Sequence, residues 1–225
     1  MVYRVYQRAI ASCLDSVIVA TDDTRIADTC HRLGCNVRLT SGSHRTGTDR
    51  LSEIARAESA DIWVNIQGDE PLIPPRLIDA VVATLTDDPF LDIVTASHAI
   101  RDVNKIRDPN SVKVVLSRTG DALYFSRAPI PHCFTRSRKP GLNQIVEYRK
   151  HIGIYGYRRS ALLKLADLEP HELELLESLE QLRALEYGMR IHVLDSEYEG
   201  LEINTKHDLE LLLARLGGED HPWQD

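Results

Sequence analysis

The chain has 225 residues, of which 43% are hydrophobic, enough for one large domain or a domain with a smaller lobe. It has no run of eighteen apolar residues and no signal pattern after Met1, so a soluble, unexported protein is expected. A net charge of −7 excludes a global positive field for nucleic acid, so an anionic ligand must be held by local cations and backbone donors. Cys13, Cys30, Cys35 and Cys133 lack CxxC spacing, and reduced thiols are expected rather than a zinc site.

Apolar residues at helical spacing open the chain over residues 1–14. SVIVATDD (16–23) reads as a buried strand, and TRIADTCHRLG (24–34) as a helix stopped by Gly34. A short strand, VRLT (37–40), precedes an amphipathic helix at 48–58 with Leu51, Ile54 and Ala55 on its apolar face. DIWVNIQGD (61–69) is the next strand, and residues 74–85 form a helix with proline in its first turn. This alternation predicts a three-layer α/β fold with a mainly parallel sheet.

After residue 90 the rhythm changes. DIVTASHAI (92–100), SVKVVLS (111–117) and DALYFSRAPIP (121–131) follow one another across Asp-Pro-Asn and Arg-Thr-Gly-Asp turns. They predict antiparallel strands and a smaller lobe over approximately residues 108–160 of a single domain spanning 1–225. Residues 131–144 are polar and basic and read as an exposed loop. KHIGIYGYRR (150–159) reads as a strand, residues 172–188 as one strong helix, 191–197 as a strand and 207–216 as a closing helix.

Three stretches point to chemistry. Ligands of open α/β sheets sit beyond the carboxyl ends of strands. Asp69 stands at such an end after Gly68, and Pro71 restricts Glu70 to extended geometry, which holds the two carboxylates in a fixed presentation. Asp69 is therefore placed either to hold Mg²⁺ on a substrate phosphate or to cap a turn. In SHRTGTDR (43–50), Thr46, Gly47 and Thr48 supply hydroxyl and backbone donors at a helix N-terminus, where Arg50 opposes the helix dipole. On the strand 150–159, His151, Gly153, Tyr155 and Tyr157 share one face, either an ordinary half-solvated one or a polar one suited, with Arg127 and Glu180-Gln181, to a polyhydroxylated molecule.

The stretches IVATDD, SHRTGTDRLSE, VNIQGDEPLIP, DPNSVKVVLSRTGDALYFSRAPIP, RKHIGIYGYR, LESLEQLRALEYGMRIHV and INTKHDLE occur in this order from residue 1 to about 215. Together they resemble the 3-deoxy-manno-octulosonate cytidylyltransferase (CMP-Kdo synthetase) family. The resemblance implies a Rossmann-like, nucleotide-diphospho-sugar transferase-like fold with a small antiparallel dimerisation lobe. It implies a cytoplasmic homodimer that transfers CMP from CTP to Kdo, releasing pyrophosphate for lipopolysaccharide biosynthesis, with Mg²⁺ as cofactor. No nucleic acid or membrane partner is implied.

By position, the resemblance makes Asp69 a metal ligand and, with Arg50, catalytic. It puts Thr46, Gly47, Arg50 and Gln67 on the nucleotide side. Arg127, His151, Tyr155, Glu180 and Gln181 face the sugar acid, with Arg127 suited to its carboxylate.

The chain departs from the family twice. Relatives begin with a strand and a triphosphate-gripping loop of the type RxxSTRLPGKP, and Met1 matches a position just after it. The expectation is a start assigned at an internal methionine, the alternative a damaged or repurposed relative. Asn204 replaces a second metal-binding Asp; its neutral carbonyl can coordinate, and Glu202, two residues earlier on the same face, can compensate. Another acid sugar, such as 8-amino-Kdo or a nonulosonate, and a non-catalytic dimeric homologue stay open alternatives.

Overall fold

The structure, a computed structural model, describes residues 1–133, 147–200, 203 and 205–216. Its first half alternates as expected: α1 (Val2–Ile10), β1 (Val19–Thr21), α2 (Thr24–Arg32), β2 (Val37–Leu39), α3 (Gly47–Ala57), β3 (Ile62–Ile66) and α4 (Pro75–Asp87). Local chemistry sets the ends of these helices. Asp23 caps α2 by accepting the Arg25 amide at 2.8 Å, and Gly34, at φ +77°, lets Cys35 N–H reach back to the Cys30 carbonyl. Thr46 caps α3 through the Asp49 amide at 3.1 Å, and Pro75 opens α4 where no amide is needed.

The second half contains β4 (Ile93–Ile100), α5 (Val103–Arg107), β5 (Lys113–Leu116), β6 (Ala122–Ser126), β7 (Tyr148–Arg158), α6 (Arg159–Asp167), α7 (Glu172–Glu177), α8 (Gln181–Glu186), β8 (Ile191–Asp195) and α9 (Lys206–Leu216). A six-stranded mixed sheet runs β6-β5-β7-β4-β8, with β3 also on β7. Strand β7 lies antiparallel to β3, β4 and β5, while β8 lies parallel to β4. Strands β3, β4, β5 and β8 thus share one direction. Because β7 threads between them, most hydrogen-bonded pairs in this sheet are antiparallel. Strands β1 and β2 form a separate parallel pair.

Helices cover both faces. Leu77, Ile78, Val81 and Leu85 of α4 pack on Val94, Ile152 and Ile154, together with Ala9 of α1. Contact here is close enough that a Cβ on Gly156 would fall 2.4 Å from Val81 Cγ1. On the other face Phe125, Tyr155, Tyr157, Leu162, Leu182 and Ile191 form the larger core. Burial of each such side chain contributes about 1.5–3 kcal/mol. Among the described residues, no helix is long and apolar enough to cross a membrane, and the four cysteines are free.

Several expectations are corrected. The single helix at 172–188 is two, broken at Ser178, whose φ of 51° is left-handed. The hairpin β5–β6 is antiparallel, as expected, and joins the sheet of β4 and β8 through β7. Helices α5 and α6 were not expected. The strand expected over 16–23 is three residues long and, among the described residues, pairs with β2 alone. The loop expected at 131–144 lies outside the described residues from position 134 onward.

Candidate active site

The first turn of α3 joins the two halves of the site. Gly47 packs closely on the end of β3, where a Cβ would lie 3.1 Å from both Asn65 Nδ2 and Gln67 Nε2. One residue on, buried Thr48 turns the opposite way and donates to Glu180 Oε1 at 2.7 Å, with Tyr157 Oη 3.3 Å away. Thr46 and Glu180 also line a second cavity of about 320 Å³ beside Ser178 and Leu179.

On the Gly47 side, Arg50 is fixed between Asp22 at 3.0 Å and the Thr40 hydroxyl. Its cation therefore stands where β1 and β2 end. Gly47, Arg50, Asn65 and Gln67 line the main cavity, of about 810 Å³. The buried Asn65 amide nitrogen has no hydrogen-bond partner among the described residues. A guanidinium, side-chain amides and the N-terminus of an eleven-residue helix converge there, a donor set for an anionic ligand.

On the Thr48 side, His151, Tyr155 and Tyr157 share a face, as their alternation requires. Ring centroids are 5.1 Å apart for His151–Tyr155 and 5.8 Å for Tyr155–Tyr157. The face is not half-solvated, however. His151 is buried edge-on against Phe125 and hydrogen-bonded to Thr95 at 2.9 Å, and burial pushes its pKa down to about 3. The ring is therefore neutral at physiological pH. Burial likewise raises the Tyr155 and Tyr157 phenols and the Glu180 carboxyl above their ordinary values.

Gln181 is buried at the start of α8. Arg127, expected to offer its fork to a carboxylate, spends it on protein carbonyls: Nε on Glu177 (2.7 Å), Nη1 on Pro109 (3.0 Å) and Nη2 on Ser178 (3.2 Å). That fork ties down the left-handed turn that delivers Glu180 and Gln181.

The two adjacent carboxylates separate instead of sharing one presentation. Glu70 is 1% exposed and accepts from Tyr198 Oη at 2.7 Å, so it is a core strut. Asp69 sits half-exposed in the turn after β3, with its main-chain carbonyl held by Ile203 N–H at 3.0 Å. It lines neither cavity. Asn204 and Glu202 lie outside the described residues. Among the described residues no three acidic, histidine or cysteine side chains cluster as a metal cage. A half-exposed carboxylate suits Mg²⁺, which keeps several waters and takes further oxygens from phosphate.

Sequence reasoning missed three residues, and the role of a fourth it had named, Thr48. Asp22 orients Arg50, and Thr48 orients Glu180; both stand in motifs already singled out, IVATDD and RTGTDR. The buried Asn65 amide inside an apolar strand was a readable signal. Lys113 was not readable: it is fully buried and holds the Asp108 and Arg127 carbonyls, and burial lowers its pKa.

The family model described as cytidylyltransferase matches residues 1–191. The 3-deoxy-manno-octulosonate cytidylyltransferase of Solibacter usitatus is 49% identical, the alignment covering 93% of this chain and 81% of that protein. The one from Pelobacter propionicus is 48% identical, covering 93% and 84%. Among solved structures, a CMP:2-keto-3-deoxy-manno-octonic acid synthetase complexed with CTP superposes with a TM-score of 0.89 at 38% identity, over 97% of this chain and 88% of that one.

Proposed function

The chain belongs to the cytidylyltransferase family, and we propose that it transfers CMP from CTP to 3-deoxy-manno-octulosonate, the anomeric hydroxyl attacking the α-phosphate as pyrophosphate leaves. The observation that carries this reading is the division of labour at α3. Gly47, with Arg50, Asn65 and Gln67, faces a cavity rich in donors, while Thr48 holds Glu180 on the other side. One short turn thereby sets the spacing between an anion-binding pocket and a buried polar cluster, which is what transfer between two bound substrates requires.

In this reading Arg50 and the α3 N-terminus hold nucleotide phosphate, and the amides of Gln67 and Asn65 fix the nucleoside side. His151, Tyr155, Glu180 and Gln181 shape the sugar-acid side, with Arg127 positioning the turn that presents Glu180. Mg²⁺, held through Asp69 and Asn204, would neutralise triphosphate charge. A cytoplasmic homodimer supplying lipopolysaccharide assembly completes the proposal.

The test is pyrophosphate release from CTP at micromolar enzyme, with and without Kdo, with 8-amino-Kdo and a nonulosonate as competitors. Release that requires both CTP and Kdo supports the reading. Release indifferent to Kdo, or restricted to another acid sugar, overturns it.

A further inference from the structure

Strands β4 and β7 meet through an irregularity beside His151. Thr95 pairs with Tyr155 and Ala96 with Ile152, so Gly153 and Ile154 of β7 have no partner on β4. The fully buried Thr95 side chain fills this gap. Its hydroxyl oxygen lies 2.7 Å from the Ile154 carbonyl and 2.9 Å from His151 Nε2, with the Ile152 carbonyl farther off at 3.4 Å.

A hydroxyl carries one proton, and a carbonyl only accepts. The 2.7 Å contact therefore uses the Thr95 proton, and the oxygen is left to accept from His151. That selects one tautomer of the imidazole, with hydrogen on Nε2 and a lone pair on Nδ1. Burial keeps the ring unprotonated, its pKa pushed down to about 3. Phe125 edge-on and the Tyr155 ring at 5.1 Å fix its plane. Among the described residues Nδ1 has no hydrogen-bond partner, yet it is not sealed off as the unpaired Tyr155 Oη is. The Tyr155 phenol approaches the Thr95 hydroxyl without bonding it. An acceptor and a donor are thus left unused side by side.

From this geometry we infer that Thr95 is a positioning residue: it makes His151 an acceptor at Nδ1, and so reserves that point of the site for a hydroxyl of the sugar acid rather than for its carboxylate. A carboxylate brings no proton to Nδ1, so two lone pairs would face each other; a hydroxyl donates there and can accept from a phenol in turn. A site built to pair with a hydroxyl rejects analogues that lack it, because its own buried polar groups are then left unpaired. The identity of the ligand rests on the proposed reaction; the tautomer rests on the β4–β7 contact alone.

Nitrogen NMR of the imidazole rings in the full chain, without ligand and at neutral pH, tests the tautomer first. The His151 signals are assigned by their loss in His151→Gln. The parent should show one neutral form, protonated at Nε2. Thr95→Ser keeps the hydroxyl and should show the same form, whereas Thr95→Val keeps the volume and should let the Nδ1-protonated form appear. A parent ring protonated at Nδ1, or a Thr95→Val ring still wholly protonated at Nε2, overturns the inference; if Thr95→Val fails to fold, the parent spectrum alone decides. In turnover, Thr95→Val should raise the KM for Kdo by about two- to tenfold, with the KM for CTP changing less and Thr95→Ser restoring the parent value. An unmoved KM for Kdo in Thr95→Val also overturns it. A parent that shows the tautomer but releases no pyrophosphate from CTP and Kdo supports the role of Thr95 and refutes only the proposed reaction.

Discussion

Thr48 donates its hydroxyl to Glu180 Oε1 at 2.7 Å across 132 residues of chain, and this one bond connects the first turn of α3 to the start of α8. Replacing Thr48 with Val keeps the volume and deletes the donor. The buried carboxyl then loses a hydrogen bond, at a cost of about 1.5–3 kcal/mol. Chemical denaturation should show that loss, and the KM for Kdo should rise more than the KM for CTP.

Glu180 also gives a pH signature. Burial raises its folded-state pKa, so its contribution to stability is complete below the unfolded carboxylate pKa and is lost as pH rises through the folded value. A Glu180→Gln variant lacks this loss. Its melting temperature relative to the parent should therefore climb between pH 4 and pH 8, measured by thermal melts across that range.

His151 acts in the opposite direction. Its folded pKa, about 3, lies below the unfolded value, so the unfolded chain binds the extra proton and stability falls as pH drops below about 6.5. The contribution lost at pH 5 is of order 2 kcal/mol. A His151→Gln variant should show a shallower stability slope between pH 6.5 and pH 4 by equilibrium urea denaturation.

Arg127 separates two roles by readout. The structure gives its fork to two carbonyls at the α7–α8 turn, Glu177 and Ser178, and to that of Pro109. Arg127→Lys keeps the charge but not the fork, and should lower stability by about 1–3 kcal/mol. A rise in the KM for Kdo with unchanged stability would instead assign it to the substrate carboxylate.

Gly156→Ala tests the packing of α4 on β7. Its Cβ would meet Val81 Cγ1 at 2.4 Å and Leu85 Cδ1 at 2.9 Å, so overpacking should cost about 1–3 kcal/mol. Adding Val81→Ala should recover part of that loss in the same denaturation experiment.

Much of this was legible in the residues. Strand and helix periods marked the elements up to residue 90, and the Thr46-Gly47-Thr48 turn announced the start of α3. The alternation in KHIGIYGYRR put His151, Tyr155 and Tyr157 on one face. Strand direction was not legible, because an apolar run looks the same whichever way it is threaded; β7 between β3 and β4 could not be foreseen. Ser178 broke a pattern that is helical throughout, since its left-handed turn is held by Arg127 from 51 residues away. Neighbouring Asp69 and Glu70 looked alike in sequence, and burial and the Tyr198 hydroxyl distinguish the strut from the half-exposed acid.

That distinction makes the central claim testable in one titration: pyrophosphate release from CTP and Kdo against Mg²⁺ concentration, for the parent chain and Asp69→Asn. If Asp69 anchors the cation beside the nucleotide, the variant should need at least about tenfold more Mg²⁺ for half-maximal release, with its melting temperature unchanged. Superimposable Mg²⁺ curves would contradict the account.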